Sequence, residues 1–128
     1  MANRAPLNPE MPPALVLVVP CFNEEQRLAP PAFAAFAASR PGVRLLFVDD
    51  GSTDETPAIL ERIRAASPAS VELVRLAANQ GKAAAVREGI LAGLRLDPGL
   101  IGFWDADLST PLAAIDDFLA LAARRPDI

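Results

Sequence analysis

Residues 44–53 (RLLFVDDGST) decide the fold, because they join an apolar run to a polar turn and to the start of a helical pattern. An apolar run of strand length with little polar alternation indicates a strand buried on both faces, as in a parallel sheet. Runs of the same character occur at residues 14–19 (ALVLVV), 71–76 (VELVRL) and 100–104 (LIGFW).

Helical patterns separate these runs, at residues 31–39, 53–66, 81–96 and 111–125. The alternation predicts an α/β fold, a doubly wound and mainly parallel sheet with right-handed crossovers. Residues 52–55 (STDE) fit a capping box for the second helix, and Asn79 is the expected N-cap of the third. Val86, Ile90 and Leu94 are expected to form the buried stripe of that third helix.

Composition limits the class of protein. The chain has 128 residues, a net charge of −4, a single cysteine and no histidine. This length suits one domain, predicted at residues 14–128, after a flexible N-terminal tail at residues 1–13. The acidic balance argues against a nucleic-acid partner. Any metal must bind mainly to oxygen atoms, which favours Mg²⁺ or Mn²⁺.

Polar clusters follow all four predicted strands. They are residues 20–25 (PCFNEE), 49–54 (DDGSTD), 79–82 (NQGK) and 105–107 (DAD). The carboxyl ends of parallel strands meet at one edge of the sheet, where α/β folds bind their ligands. The four clusters therefore predict a single binding site.

Asp105 and Asp107 are the predicted metal ligands. On extended chain their Cα atoms would be roughly 6.6 Å apart, with both side chains on one side. A turn at the strand end can bring both carboxylates toward one ion. Two carboxylates suit a hard cation and leave coordination positions open for substrate phosphates. The alternative is a solvated acidic turn that leads into the next helix.

The second and third clusters contain further candidates. Neighbouring strand residues point in opposite directions, so we assign Asp50 to the ligand and Asp49 to the turn, the alternative being that both serve the turn. Gly81 and Lys82 open the third helix, whose N-terminus attracts anions. The alternative for Lys82 is an ordinary surface lysine.

The first cluster supplies Asn23 and Glu24, which could hydrogen-bond a base or a ribose. The alternative is a polar loop that leads into the first helix. Cys21 is expected to be a small buried residue and not a nucleophile, because the chain has no histidine to activate it.

Four segments together resemble the family 2 glycosyltransferases of the GT-A fold, and most of all the dolichyl- or polyprenyl-phosphate sugar synthases. The segments are residues 19–28 (VPCFNEEQRL), 47–56 (FVDDGSTDET), 79–90 (NQGKAAAVREGI) and 105–111 (DADLSTP). The resemblance implies a UDP- or GDP-sugar donor, transfer with inversion and a polyprenyl phosphate as acceptor. It also implies strand order 3-2-1-4 and work at the cytoplasmic face of the membrane.

The resemblance also implies roles for single residues. Asp50 would contact the nucleotide base. Asp105 and Asp107 would bind the metal and the diphosphate or ribose, with Asp107 as the direct metal ligand. The base and ribose would be lined by Pro20, Phe22, Asn23 and Glu24. Ala83 departs from the pattern, since family members often carry a second glycine after the lysine, and this weakens the assignment of Lys82.

The family's catalytic domain continues well past its D-x-D motif. The resemblance therefore implies that the acceptor-binding part and any catalytic base lie beyond Ile128, and we expect donor binding but little transfer by this chain alone. The fourth strand would then be an open sheet edge, which predicts a homodimer through that edge.

Two alternatives to a glycosyltransferase remain at this point. One is a nucleotide-binding module without catalysis. The other is a haloacid-dehalogenase-type phosphatase, with Asp105 as nucleophile and Asp107 as acid. The phosphatase would need its D-x-D motif after the first strand, and it leaves the second and third clusters unexplained.

Overall fold

The computed structural model describes residues 12–124. Strands and helices alternate throughout, in the order β1 (Leu15–Cys21), α1 (Pro30–Ser39), β2 (Val43–Asp49), α2 (Thr56–Ala66), β3 (Val71–Arg75), α3 (Lys82–Leu94), β4 (Leu100–Phe103) and α4 (Ala114–Arg124).

The four strands form one parallel sheet in the order β3-β2-β1-β4. The predicted doubly wound sheet and the predicted strand order are both confirmed. β1 and β2 are central and buried along their whole length. The reversal of strand order next to β1 opens a crevice at the carboxyl edge, where such sheets bind ligands.

Alternate side chains of the central strands fill two cores, one on each face of the sheet. Leu17 and Phe47 lie on the face covered by α1, α2 and α4, where Phe47 meets Phe33 edge to face with ring centroids 5.1 Å apart. Val18 and Val48 lie on the opposite face, against α3. The continuous apolar runs of the sequence follow from this two-sided burial.

The buried stripe of α3 differs from the predicted one. Ala85, Gly89 and Gly93 face the sheet, one position before the expected residues, and Leu94 is 54% exposed. A Cβ on Gly89 would lie 2.9 Å from Cγ2 of Val48. Close contact between helix and sheet thus selects the smallest residues, and a prediction that looks for large apolar residues misses the stripe.

Three predicted helix starts are also wrong. α4 begins at Ala114 and not at residue 111. α2 begins at Thr56, whose N–H donates to Oδ1 of Asp54 at 2.8 Å, and residues 52–55 form no capping box. α3 begins at Lys82, with Gly81 and not Asn79 as its N-cap. The side chain of Asn79 instead donates a hydrogen bond to the carboxylate of Asp50, a tertiary contact that the local sequence pattern does not reveal.

The predicted tail is described only at its end, because residues 1–11 lie outside the described range. Pro13 is buried, and its carbonyl accepts a hydrogen bond from the Gly99 N–H at 3.1 Å. Arg125, the predicted end of α4, also lies outside the range. No helix within residues 12–124 is long and apolar enough to cross a bilayer.

Candidate functional site

A cavity of about 430 Å³ opens at the carboxyl edge of the sheet. Its walls come from the segments that follow all four strands and from the first turn of α3. The lining residues are Pro20, Cys21, Phe22, Glu24, Asp50, Asn79, Gly81, Lys82, Ala85, Asp105, Ala106 and Asp107. Every predicted site residue except Asn23 is among them, as expected from the parallel topology.

Asp50 is buried and ties two walls of the cavity together. Its Oδ1 accepts from the Gln80 N–H at 2.8 Å, and its Oδ2 accepts from the Gly81 N–H at 2.9 Å and from Nδ2 of Asn79 at 3.0 Å. Both oxygen atoms are thus engaged by the loop that leads into α3. Asp50 positions that loop, and its contact with a nucleotide base stays a prediction.

Asp49 has the turn role predicted for it. Its Oδ1 accepts from the Ser52 N–H at 3.1 Å, while Oδ2 lies 3.6 Å from Nε of Arg75. The turn continues through Gly51, whose φ is 71°. A Cβ on Gly51 would lie 2.5 Å from the carbonyl carbon of Ala78. Only glycine permits this approach of the two loops.

Asn79 lines the cavity, as its cluster predicts, but the only individual role predicted for it was that of a helix cap. Besides its bond to the Asp50 carboxylate, its amide donates to the Asp50 backbone carbonyl at 3.2 Å. The signal available in the sequence was the run of residues 79–82, polar residues and a glycine placed between strand and helix.

The polar atoms of Asn23 bind the loop after β2, whereas the sequence predicted a contact with the base or the ribose. Its backbone has φ of 51°, its Oδ1 accepts from the Thr53 N–H at 2.9 Å, and its N–H donates to Oγ of Ser52 at 3.0 Å. The described residues that line the cavity do not include it. Asn23 therefore joins the loop after β1 to the loop after β2, and its contact with base or ribose stays a prediction.

The other residues at and after the end of β1 differ in what they offer a ligand. Phe22 is 40% exposed and presents an apolar surface to the cavity. Glu24 accepts from Nε of Arg27 at 2.8 Å. Cys21 is buried as predicted, and burial, followed by the charges of Glu24 and Asp49, raises the pKa of its thiol well above the ordinary value. A thiol held neutral in this way is a poor nucleophile.

The N-terminus of α3 lies at the cavity, since Gly81, Lys82 and Ala85 all line it. Gly81 has φ of 99°, and a Cβ there would meet nothing within 4 Å, so the backbone is open to an approaching ligand. The free N–H groups of a first helical turn carry partial positive charge. This end of the cavity suits an anion.

Asp105 and Asp107 lie opposite, on the segment after β4. The strand ends at Phe103, and residues 106–107 form a turn, so the two carboxylates lie on a turn at the strand end and not on extended chain. Both still line the cavity. Oδ1 of Asp105 accepts from Nζ of Lys82 at 2.6 Å, and Oδ1 of Asp107 accepts from the Ser109 N–H at 3.0 Å.

This donor set fits a hard divalent cation in part. The carboxylate oxygens are the ligand type that Mg²⁺ and Mn²⁺ prefer. Within residues 12–124 no group of three or more candidate ligand residues comes together. Asp105 and Asp107 would therefore supply only part of the coordination shell, and water and phosphate oxygens the remainder.

The model of the family "Glycosyl transferase family 2" matches residues 16–128. The chain is 36% identical over 103 residues to the beta-monoglucosyldiacylglycerol synthase of Synechocystis, covering 77% of this chain and 21% of that protein. It is 32% identical over 108 residues to the polyprenol monophosphomannose synthase of Mycolicibacterium smegmatis, covering 79% and 40%. The chain thus spans well under half the length of these curated relatives.

Solved structures show the same fold at lower sequence identity. The mannosyltransferase PcManGT of Pyrobaculum calidifontis, in complex with GDP-Man and Mn²⁺, superposes with a TM-score of 0.56 at 22% identity, covering 83% of this chain and 31% of that one. S. aureus TarS in complex with UDP-GlcNAc gives a TM-score of 0.60 at 21% identity, covering 86% and 31%. These neighbours have the GT-A fold.

Proposed function

The chain belongs to glycosyl transferase family 2, and we propose that its cavity binds the nucleoside-diphosphate sugar from which the sugar is transferred. The observation that carries the proposal is the meeting of carboxylate oxygens, a lysine and a helix N-terminus at one cavity on the carboxyl edge of the sheet. The family match leaves no ground for the phosphatase alternative.

The diphosphate would bind between the N-terminus of α3 and the segment after β4. Lys82 and the N–H groups of the first turn attract phosphate oxygens. Carboxylates at Glu24, Asp50, Asp105 and Asp107 outnumber the single ammonium of Lys82 on the cavity wall. An anionic diphosphate therefore needs an added cation at this site, which Asp105 and Asp107 would hold. When bound there, such a cation would stabilise the charge that develops on the leaving diphosphate.

The nucleoside would lie against the other half of the cavity. Pro20 and Phe22 offer apolar surface there, and Glu24 and Asp50 are the polar groups nearest the central strands. Asp50 would reach the base only if the ligand replaced one of the hydrogen bonds that Asp50 now accepts.

A polyprenyl phosphate is the proposed acceptor. Two relatives are named as a polyprenol monophosphomannose synthase and a dodecaprenyl-phosphate galacturonate synthase. A phosphate acceptor is already anionic and needs little help from a base. We assign no catalytic base among the described residues. Inversion at the anomeric carbon and a location at the cytoplasmic membrane face belong to the same proposal.

Calorimetric titration tests the donor site. UDP, GDP and UDP-glucose are titrated with Mn²⁺ and then with EDTA. The matched variants are Asp107→Asn at the cavity and Asp97→Asn, an exposed carboxylate between α3 and β4 at the opposite edge of the sheet. We expect Mn²⁺-dependent binding that Asp107→Asn weakens at least tenfold and that Asp97→Asn leaves unchanged. Equal binding by the two variants would count against the site.

A homodimer through the β4 edge remains a proposal. Within residues 12–124, β4 pairs only with β1, and the adjacent surface exposes Phe103, Phe118 and Leu121. Unpaired edges beside apolar side chains favour association. Light scattering should detect a dimer that Leu121→Ser weakens. Leu91→Ser, at a leucine on α3 that is more exposed than Leu121, should leave the dimer unchanged. A monomer at high concentration would contradict the dimer.

A further inference from the structure

An ion pair spans the cavity. Nζ of Lys82, the first residue of α3, lies 2.6 Å from Oδ1 of Asp105, which follows β4. The side chains are 59% and 46% exposed, so ligands can reach both. The contact joins two separate elements of the fold and was not among the sequence predictions.

The proposed function assigns to the two partners of the pair ligands of opposite charge. Asp105 would hold the cation, and Lys82 would hold the diphosphate. While they are paired, an oxygen needed by the cation is occupied, and the charge needed by the diphosphate is neutralised. A ligand that binds either partner therefore competes with the pair for that partner's charge.

We propose that the Lys82–Asp105 ion pair is an inhibitory contact that couples cation binding to diphosphate binding. The inference rests on the proposed function. A cation that takes Asp105 releases Lys82 for the diphosphate, and a diphosphate that takes Lys82 releases Asp105 for the cation. Each ligand therefore raises the affinity for the other, by the same factor in both directions.

Asp107 provides the matched comparison. It carries the same charge on the same wall, but its Oδ1 accepts from the backbone N–H of Ser109 and not from a lysine. Arg27 interacts electrostatically with Asp107, but its guanidinium is already paired with the carboxylate of Glu24. Neutralising Asp107 therefore removes a carboxylate without releasing a lysine, whereas neutralising Asp105 does both.

Replacing a carboxylate of a binding site normally weakens ligand binding. The coupling predicts the opposite for Asp105 when no cation is present. In EDTA, Asp105→Asn should bind a nucleoside diphosphate more tightly than the wild type, because its lysine is free. Ion pairs between exposed side chains are weak, so the gain should be about threefold to fivefold. Asp107→Asn should change this affinity by less than about twofold. With Mn²⁺ both variants should bind more weakly than the wild type.

The experiment is a calorimetric titration of UDP and GDP in EDTA and in Mn²⁺, on wild type, Asp105→Asn and Asp107→Asn. A cycle with Lys82→Gln isolates the pair, because Asp105→Asn should bring no gain once the lysine is absent. If Asp105→Asn binds no more tightly than Asp107→Asn in EDTA, the inference is overturned. Circular dichroism checks that each variant is folded.

Nuclear magnetic resonance separates this inference from the proposed function. Lys82 is the only lysine of the chain, so its side-chain Cε and Nζ signals need no further assignment. Without ligand, these signals should move in Asp105→Asn and stay in place in Asp107→Asn. Unmoved signals in Asp105→Asn overturn the inference even if nucleotides bind. A wild type that binds no nucleotide with Mn²⁺ refutes the proposed function, and the coupling with it.

Discussion

Replacing Asp50 by asparagine should destabilise the fold and the site together. Asp50 is 2% exposed, and its carboxylate accepts hydrogen bonds from the Gln80 N–H, the Gly81 N–H and the Asn79 side chain. An asparagine has one acceptor oxygen, so its NH₂ group must face at least one N–H donor. The less costly orientation keeps the bonds to Gly81 and Asn79 and loses the bond to Gln80.

The magnitude follows from these contacts. A hydrogen bond to a charged group contributes about 1.5–3 kcal/mol, and the two remaining bonds weaken when the acceptor becomes neutral. We therefore expect Asp50→Asn to lower the free energy of unfolding by about 3 kcal/mol, a large part of the stability of an ordinary domain. With a urea m-value of about 1.5 kcal/mol/M, the midpoint should fall by about 2 M.

Urea unfolding followed by circular dichroism measures this change. Asp117→Asn, an exposed carboxylate near the start of α4, removes the same charge and should cost about 0.5 kcal/mol or less. If Asp50→Asn lost under 1 kcal/mol, the loop before α3 would not be held by this carboxylate, and the described geometry of the cavity would be wrong.

Three further predictions follow from contacts away from the Asp50 network. Gly89→Ala should lower the free energy of unfolding, measured in urea, by about 1–2 kcal/mol, because a clash with β1 and β2 outweighs the gain in helix propensity. Gly102→Ala should cause no such loss, because a Cβ at residue 102 would lie in open space. Cys21 should resist iodoacetamide up to about pH 9 and react once unfolded, because burial raises its pKa; rapid labelling of the native protein would contradict its burial. The hydrogen bond from Arg40 lowers the pKa of Asp116. The pair should therefore stabilise the fold above about pH 4, and this stabilisation should be lost as the pH falls further. Asp116→Asn should remove that part of the pH dependence of the free energy of unfolding.

The sheet could be predicted from the sequence because its central strands are buried on both faces. A strand buried on both faces needs apolar residues at nearly every position, as in β2, and a polar cluster follows each strand. Topology then places those clusters at one edge. For this reason eight of the twelve residues that line the cavity, Asp50 and Lys82 among them, could be predicted without a structure.

The contacts within the site could not be predicted, because they join segments distant in sequence. Asn79 fits a helix-cap pattern, but Asp50 recruits it from the end of β2. Asn23 fits a ligand pattern, but its amide oxygen binds the Thr53 N–H on the next loop. The pairing of Lys82 with Asp105 depends on how α3 and β4 approach each other, which no local pattern records.

Paramagnetic broadening by Mn²⁺ tests the central claim most directly, namely that the carboxyl edge of the sheet binds a cation together with a nucleoside diphosphate. Mn²⁺ is titrated into ¹⁵N-labelled protein with UDP or GDP present. We predict that amide signals of Ala106, Asp107 and Lys82 broaden first, while those of residues 67–70, at the amino edge before β3, stay sharp. Broadening centred elsewhere, or none at these residues, would contradict the account.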